Sequence, residues 1–193
     1  MTYAAAVTAV SLVVLAIVAA DIVLRVLFRR LPAGRPAAPG GLARWLRIAV
    51  NVAGFAALAA AAITGFSPAL SGNGQMTGDA LITHVTMAPP FAVLAVIVAL
   101  FWAHRNRFSE GDWGRLAPAG YRAAPLRKFF FWLAVTLAVP TMVSILAAMF
   151  PLFDTEGQEN LFRIHRYCGL LLAGSGVLFA YFAFMAWREG SKD

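Results

Sequence analysis

The chain has three histidines, His84, His104 and His165. His84 lies about one helical turn inside the end of an apolar stretch, and His165 lies about one turn inside the corresponding end of another. An ionisable side chain within such a stretch is costly and marks a functional position by default. Neutral imidazole is the metal-binding form of histidine, and haem iron commonly takes it as an axial ligand. Two imidazoles at matched depth can face one another with a flat cofactor between them. The other reading is that each is a headgroup-level histidine bonded to water or to a loop carbonyl. Zinc fits less well, because two histidines without Cys or carboxylate at helical spacing supply too few ligands. His104 ends the same stretch as His84, roughly 30 Å further along a helix and about 200° around it. It therefore reads as an interfacial residue beside Arg105, although Pro89 and Pro90 can bend the helix and change that angle.

The neighbourhood of His165 reads NLFRIHRYCGLLLAGSG. Gly169 follows His165 by four residues, on the same helical face. A glycine there leaves room for a porphyrin to lie against the backbone, and Ala173 and Gly176 extend the small-residue face. Small residues also let membrane helices approach closely, which is the competing explanation. Arg163 and Arg166 flank His165 and can pair with haem propionates, or anchor the helix at the interface. Cys168 is the single cysteine, and the haem-attachment pattern C-x-x-C-H is absent, so a haem here would be held without thioether bonds.

The stretch Arg163-Ile-His165-Arg166-Tyr-Cys-Gly169 resembles the R-x-H-R-x-x-G segments of membrane cytochrome b subunits. Those include the gamma subunits of formate dehydrogenases and hydrogenases and the thiosulfate reductase cytochrome b subunits. The resemblance covers the fifth apolar stretch and, more loosely, His84 in the third. It implies an electron-carrying membrane subunit that works with other redox subunits. Such proteins often carry two haems on four axial ligands; with three histidines this chain has too few for two bis-histidine haems.

Further polar residues lie within apolar stretches. Asp21 and Arg25 are four apart, a spacing that permits an ion pair. With Asn51 and His104 they can line a quinone or proton site on the cytoplasmic side, since intramembrane carboxylates often mark proton paths. The plainer reading is a structural ion pair and a helix-packing hydrogen bond. Pro140, with Thr136, Thr141 and Ser144 nearby, predicts a kink with hydroxyl compensation.

These residues need elements to position them, and composition says which. Hydrophobic residues make up 61% of the chain and charged residues 13%, against about 45–50% and roughly 25% in a soluble domain. That excess has to face lipid. Five stretches reach the roughly 20 apolar residues that span a bilayer as a helix: about Tyr3–Phe28, Trp45–Phe66, Leu81–His104, Phe129–Phe150 and Leu161–Trp187. None alternates polar with apolar residues, so a β-barrel is not expected. The sequence thus predicts one all-α membrane domain over 1–193. The first stretch has no basic segment before it and is long enough to span, so it is read as a helix and not as a cleavable signal.

The net charge of +7 does not point to nucleic acid, because the basic residues cluster between the spans. Arg25, Arg29, Arg30, Arg35, Arg44 and Arg47 flank the first connection. Arg105, Arg107, Arg115, Arg122, Arg127 and Lys128 occupy the third, and Arg188 and Lys192 follow the last span. Only Arg163 and Arg166 lie on the other side. Positive residues stay in the cytoplasm, which places the N-terminus outside and the C-terminus inside a bacterial inner membrane. Segment 31–41, LPAGRPAAPGG, reads as a linker. No internal repeat of the transporter kind is present.

The expected function is that of a b-type cytochrome with one haem b between His84 and His165 near the outer face. It would serve a respiratory or photosynthetic oxidoreductase complex, exchanging electrons with quinone and with an extracytoplasmic partner such as a cytochrome c or an iron–sulfur protein. The alternative is a cofactor-free structural or anchoring subunit. In either case the chain reads as a component and not as a complete enzyme. The orientation is tested by cysteine accessibility in cells: single cysteines in segment 105–128 should be shielded from a membrane-impermeant reagent, while one at the N-terminus should react. Labelling of 105–128 from outside reverses the assignment.

Overall fold

Hydrocarbon offers no hydrogen bonds, so an apolar chain that crosses it must close its backbone bonds within each segment, as a helix does. The computed structural model describes residues 2–27, 41–71, 75–114 and 122–189. In order they form α1 (Tyr3–Leu27), α2 (Leu42–Leu70), α3 (Gly78–Trp102), a 3-10 turn (His104–Asn106), a short α4 (Glu110–Gly114), α5 (Ala123–Ala148) and α6 (Thr155–Arg188). No strand occurs among the described residues. Five of the helices are long and apolar enough to cross a membrane, with mean hydropathy from 1.9 to 2.7. Most of segment 31–41, and Arg29, Arg30, Arg35, Arg115 and Lys192, lie outside the described residues, as does the side chain of Arg44.

The helices match the five expected spans, and most extend past their apolar limits. α6 begins at Thr155, six residues before Leu161. Its added turns are polar: Glu156, Gln158 and Glu159 form helix readily, and the Asp154 side chain caps them by accepting the Gly157 N–H at 2.8 Å. At 34 residues the helix is about 50 Å long, well beyond a hydrocarbon core of about 30 Å. α3 is shorter at its far end than expected and stops at Trp102, with His104 in the following 3-10 turn. Pro68, Pro89, Pro90 and Pro140 all lie inside continuous helices. Next to Pro140, Thr141 donates its hydroxyl to Leu137 O at 2.7 Å, and Ser144 donates to Thr141 O at 3.1 Å.

The bundle is built from two antiparallel hairpins, α2–α3 and α5–α6, with α1 laid against α6 and α2. α3 touches α5 only sparsely, so a gap separates the hairpins on that side. Lipid tails are as apolar as leucine, so helices in a membrane associate through close packing and not through a hydrophobic drive. The α5–α6 seam follows that rule. Ala123, Ala124 and Ala186 are almost fully buried, and they let Phe182 stack on Phe130 with ring centroids 5.6 Å apart. A second cluster at the opposite end joins Ala6 and Val7 of α1 to Leu170 of α6. Outward-facing Leu15, Ile82, Val96 and Leu100 stay exposed, as a lipid-facing surface requires.

The connection between α3 and α5 is tied down by polar contacts. The Trp132 indole N–H donates to Asn106 O at 2.9 Å. Asp112 Oδ2 accepts from Lys128 Nζ at 2.9 Å, from Ser109 N at 2.7 Å and from Ser109 Oγ at 3.0 Å. Burial pushes the Asp112 carboxyl upward, but the Ser109 and Lys128 donors outweigh it and hold the carboxyl below its ordinary 3.8. A depressed folded pKa gives stability that is present above the unfolded value and lost as pH falls through the folded one. Thermal unfolding in detergent should therefore lose stability as pH drops from about 5 toward 3. Asp112→Asn should lower stability by about 3 kcal/mol near neutrality, by leaving Lys128 buried without its counter-charge. The same substitution should flatten that part of the acid dependence; an unchanged acid limb would remove Asp112 as its source.

Candidate functional site

His84 on α3 and His165 on α6 meet across the gap between the hairpins. Their ring centroids are 6.1 Å apart and their planes stand at 84°. Antiparallel connectivity explains the match in depth. α3 and α6 run in the same direction, and each carries its histidine a few turns inside the same end.

What fixes the rings is the backbone of the neighbouring helix in each hairpin. His84 Nδ1 lies 2.9 Å from Ala61 O on α2, and His165 Nδ1 lies 2.9 Å from Thr141 O on α5. A carbonyl oxygen only accepts, so each Nδ1 carries the hydrogen. Each Nε2 then keeps its lone pair, directed away from the carbonyl. This is the tautomer and the outer-sphere support that metal-ligating histidines use. Thr64 stands beside His84, its hydroxyl 3.4 Å from Nδ1 while it donates to Ala60 O at 2.7 Å.

The spacing suits one metal held between two rings. At about 2 Å from metal to nitrogen, two imidazoles bound on opposite sides of one ion have centroids roughly 6 Å apart. Among the described residues no three His, Cys, Asp or Glu side chains converge as a metal site. The donor set is two neutral nitrogens, which suits a metal whose other ligands come from a macrocycle. Deeper in the bundle, an apolar cavity runs between the hairpins, bordered by Leu58, Phe91, Met142, Leu172 and Gly176. The two histidines thus suit a haem in ligand type, tautomer and spacing, and neither of them lines the apolar cavity.

The glycines divide the work differently from the sequence expectation. A Cβ on Gly169 would meet Thr141 Cγ2 at 3.7 Å, so Gly169 looks onto the α5–α6 seam beside the carbonyl that holds His165. The glycine pressed against an imidazole is Gly65 of α2. A Cβ there would sit 3.1 Å from His84 Cε1 and 3.4 Å from Nδ1. Gly176 is tighter still, with Leu58 Cδ2 2.7 Å from where a Cβ would be. Ala173 is buried on α6.

Arg163 pairs with Glu159 at 3.2 Å on an exposed face of α6. It precedes His165 by two residues and so lies about 200° around the helix from it. Arg166 is exposed, and its carbonyl accepts from Tyr3 OH of α1 at 3.3 Å. Of the two, Arg166 is nearer to the His165 face, at about 100°.

At the opposite end of the bundle Asp21 and Arg25 pair as their spacing predicts, at 2.6 Å. Two partners were not legible in the sequence. Tyr181 OH donates to Asp21 Oδ2 at 2.7 Å, and Arg25 also donates to Glu189. Glu189 in turn accepts the Ala123 N–H at 3.0 Å. The network bolts α1, α5 and α6 together, with Asp21 only 2% exposed. Asn51 and His104 stand apart from it. Asn51 donates to Arg47 O of its own helix at 2.9 Å and borders the space between the hairpins. His104 is exposed at the end of α3.

Compared with models of known families, with curated proteins and with solved structures, the chain matches none. Its chemistry has to be read from the site itself. The close approach at Gly65 supplies a direct check. Gly65→Ala should push the His84 ring off Ala61 O, whereas Gly54→Ala, which meets only Leu94 Cβ at 3.8 Å, should be tolerated. Nitrogen-edited NMR of the histidine side chains should show a changed His84 Nδ1–H environment in Gly65→Ala alone. An unaltered His84 signal would show that the ring does not rest on that glycine.

Proposed function

We propose that the chain is an electron-carrying membrane subunit that holds one b-type haem between His84 and His165. The observation that carries this reading is the paired support of the two rings: each Nδ1 is committed to a carbonyl of the adjacent helix, 2.9 Å away, while the ring centroids stand 6.1 Å apart with their planes near perpendicular. The R-x-H-R-x-x-G resemblance points the same way. When bound, haem supplies a one-electron couple that no side chain here can provide.

The chain's own residues do the rest. His84 and His165 present Nε2 lone pairs from opposite hairpins. Ala61 O and Thr141 O hold the tautomer and fix the ring orientation. Gly65 lets the His84 ring lie against α2, and Gly169 borders Thr141 at ordinary van der Waals distance. The apolar residues deeper in the gap keep water out, which favours a tuned potential. Arg166, with Arg163 further around the helix, supplies positive charge at the histidine end, suited to carboxylate groups at the rim.

The distribution of basic residues supports a histidine end outside and an Asp21 end in the cytoplasm of a bacterial inner membrane. A single haem near the outer face would serve electron exchange on that side, with quinone from the bilayer and with an extracytoplasmic redox subunit. The network around Asp21 is then structural, because Arg25, Tyr181 and Glu189 already engage the polar groups there.

The purified chain should show the reduced-minus-oxidised spectrum of a b-type cytochrome and one haem per chain by pyridine haemochrome. His84→Ala and His165→Ala should each abolish the signal, and His104→Ala should keep it. A colourless wild type would instead make the histidines struts between helices, as in a cofactor-free anchoring subunit. Two haems per chain would overturn the ligand assignment.

A further inference from the structure

At the Asp21 end a cleft of about 460 Å³ opens between the two hairpins. Its polar rim carries two guanidinium groups, Arg105 from the 3-10 turn and Arg127 from α5, and no carboxylate lines it among the described residues. Trp102 and Trp187 form part of its walls, at the helix ends where tryptophans sit among lipid headgroups. Asn106 also lines the cleft; it is 3% exposed, and its Oδ1 accepts no hydrogen bond among the described residues.

The cleft does not end at its polar rim. Asn51, Phe55 and Phe179 border it and also border the apolar cavity that continues between the hairpins toward the histidines. A cationic mouth at headgroup level thus leads into an apolar passage at hydrocarbon depth. The complementary molecule has an anionic head and a long apolar tail.

We propose that this is a binding site for an anionic phospholipid, with its phosphate at Arg105 and Arg127 and one acyl chain in the passage between the hairpins. Guanidinium binds phosphate bidentately and with charge assistance, and basic pockets between membrane helices are suited to such headgroups. Asn106 Oδ1 is an acceptor in want of a donor, so a headgroup that carries hydroxyls, such as phosphatidylglycerol, satisfies more of the site than one without. The acyl chain fills space that would otherwise separate α3 from α5, so the lipid acts as a wedge that completes the packing of two sparsely touching hairpins. The proposal rests on the cleft alone and does not depend on haem at the other end.

The test uses the full chain purified in detergent and exchanged into nanodiscs of defined lipid. With phosphatidylglycerol at a low fraction in phosphatidylcholine, native mass spectrometry should find about one phosphatidylglycerol retained per chain, and thermal stability should rise with the phosphatidylglycerol fraction. Arg105→Gln with Arg127→Gln should weaken retention by at least roughly tenfold, whereas the exposed Arg107→Gln should leave it unchanged. The wild-type comparison stands even if the double variant does not fold. Equal retention of phosphatidylglycerol and phosphatidylcholine by the wild type would overturn the proposal. So would full stabilisation by inorganic phosphate alone, which would make the site one for a free anion, or recovery of a neutral quinone in place of the phospholipid.

Discussion

A polar group placed in hydrocarbon has no water to fall back on, and many of those that the described helices carry are tied to another helix or to their own backbone. Serine and threonine hydroxyls turn back onto carbonyls three or four residues earlier, as Ser11, Thr64, Thr141 and Ser175 do. Asn51 does the same with its amide. The two intramembrane histidines reach further, to carbonyls of neighbouring helices, and so act as cross-braces within each hairpin. The constraint that satisfies the imidazoles also selects their tautomer, so structural support and ligand chemistry come from one hydrogen bond.

The same constraint governs the opposite end. Asp21 is almost wholly buried, and an isolated carboxylate there would be very costly. It is engaged by Arg25 and Tyr181, and Arg25 is shared with Glu189 at the end of α6. A buried ion pair adds little net stability over an apolar replacement, but breaking one partner is expensive. Its effect here is therefore on arrangement: it fixes where α1 sits against α6, and through the Ala123 N–H it ties the start of α5 to the end of α6.

Between these two braced ends the hairpins are loosely joined. α5 and α6 meet along a seam of small residues around Phe182, while α3 scarcely reaches α5. A bundle with a tight half and an open gap has room for a guest between its halves without disturbing the packing of either. The histidines sit at one end of that gap and the arginine-rimmed cleft at the other. The two proposals concern the two ends of one space.

The sequence by itself determined the five spans, because the length and apolarity of a membrane helix are written in consecutive residues. It also determined that His84 and His165 share a depth, because antiparallel connection of known spans leaves no other choice. The Asp21–Arg25 pair was legible for the same reason, being local to one helix. The tertiary structure decided what is not carried by residue type. Ala61 and Thr141 matter through their carbonyls, which every residue has, so nothing in the sequence singles them out. Gly65 was hidden among many small residues of α2 until the His84 ring was found against it. Gly169 shares a helical face with His165, but whether that face meets a cofactor or α5 depends on how the hairpin closes. Tyr181 and Glu189 lie about 160 residues from their partners on α1. Periodicity within a helix reaches only a few turns, and contacts between distant helices follow from packing, which the one-dimensional pattern does not encode.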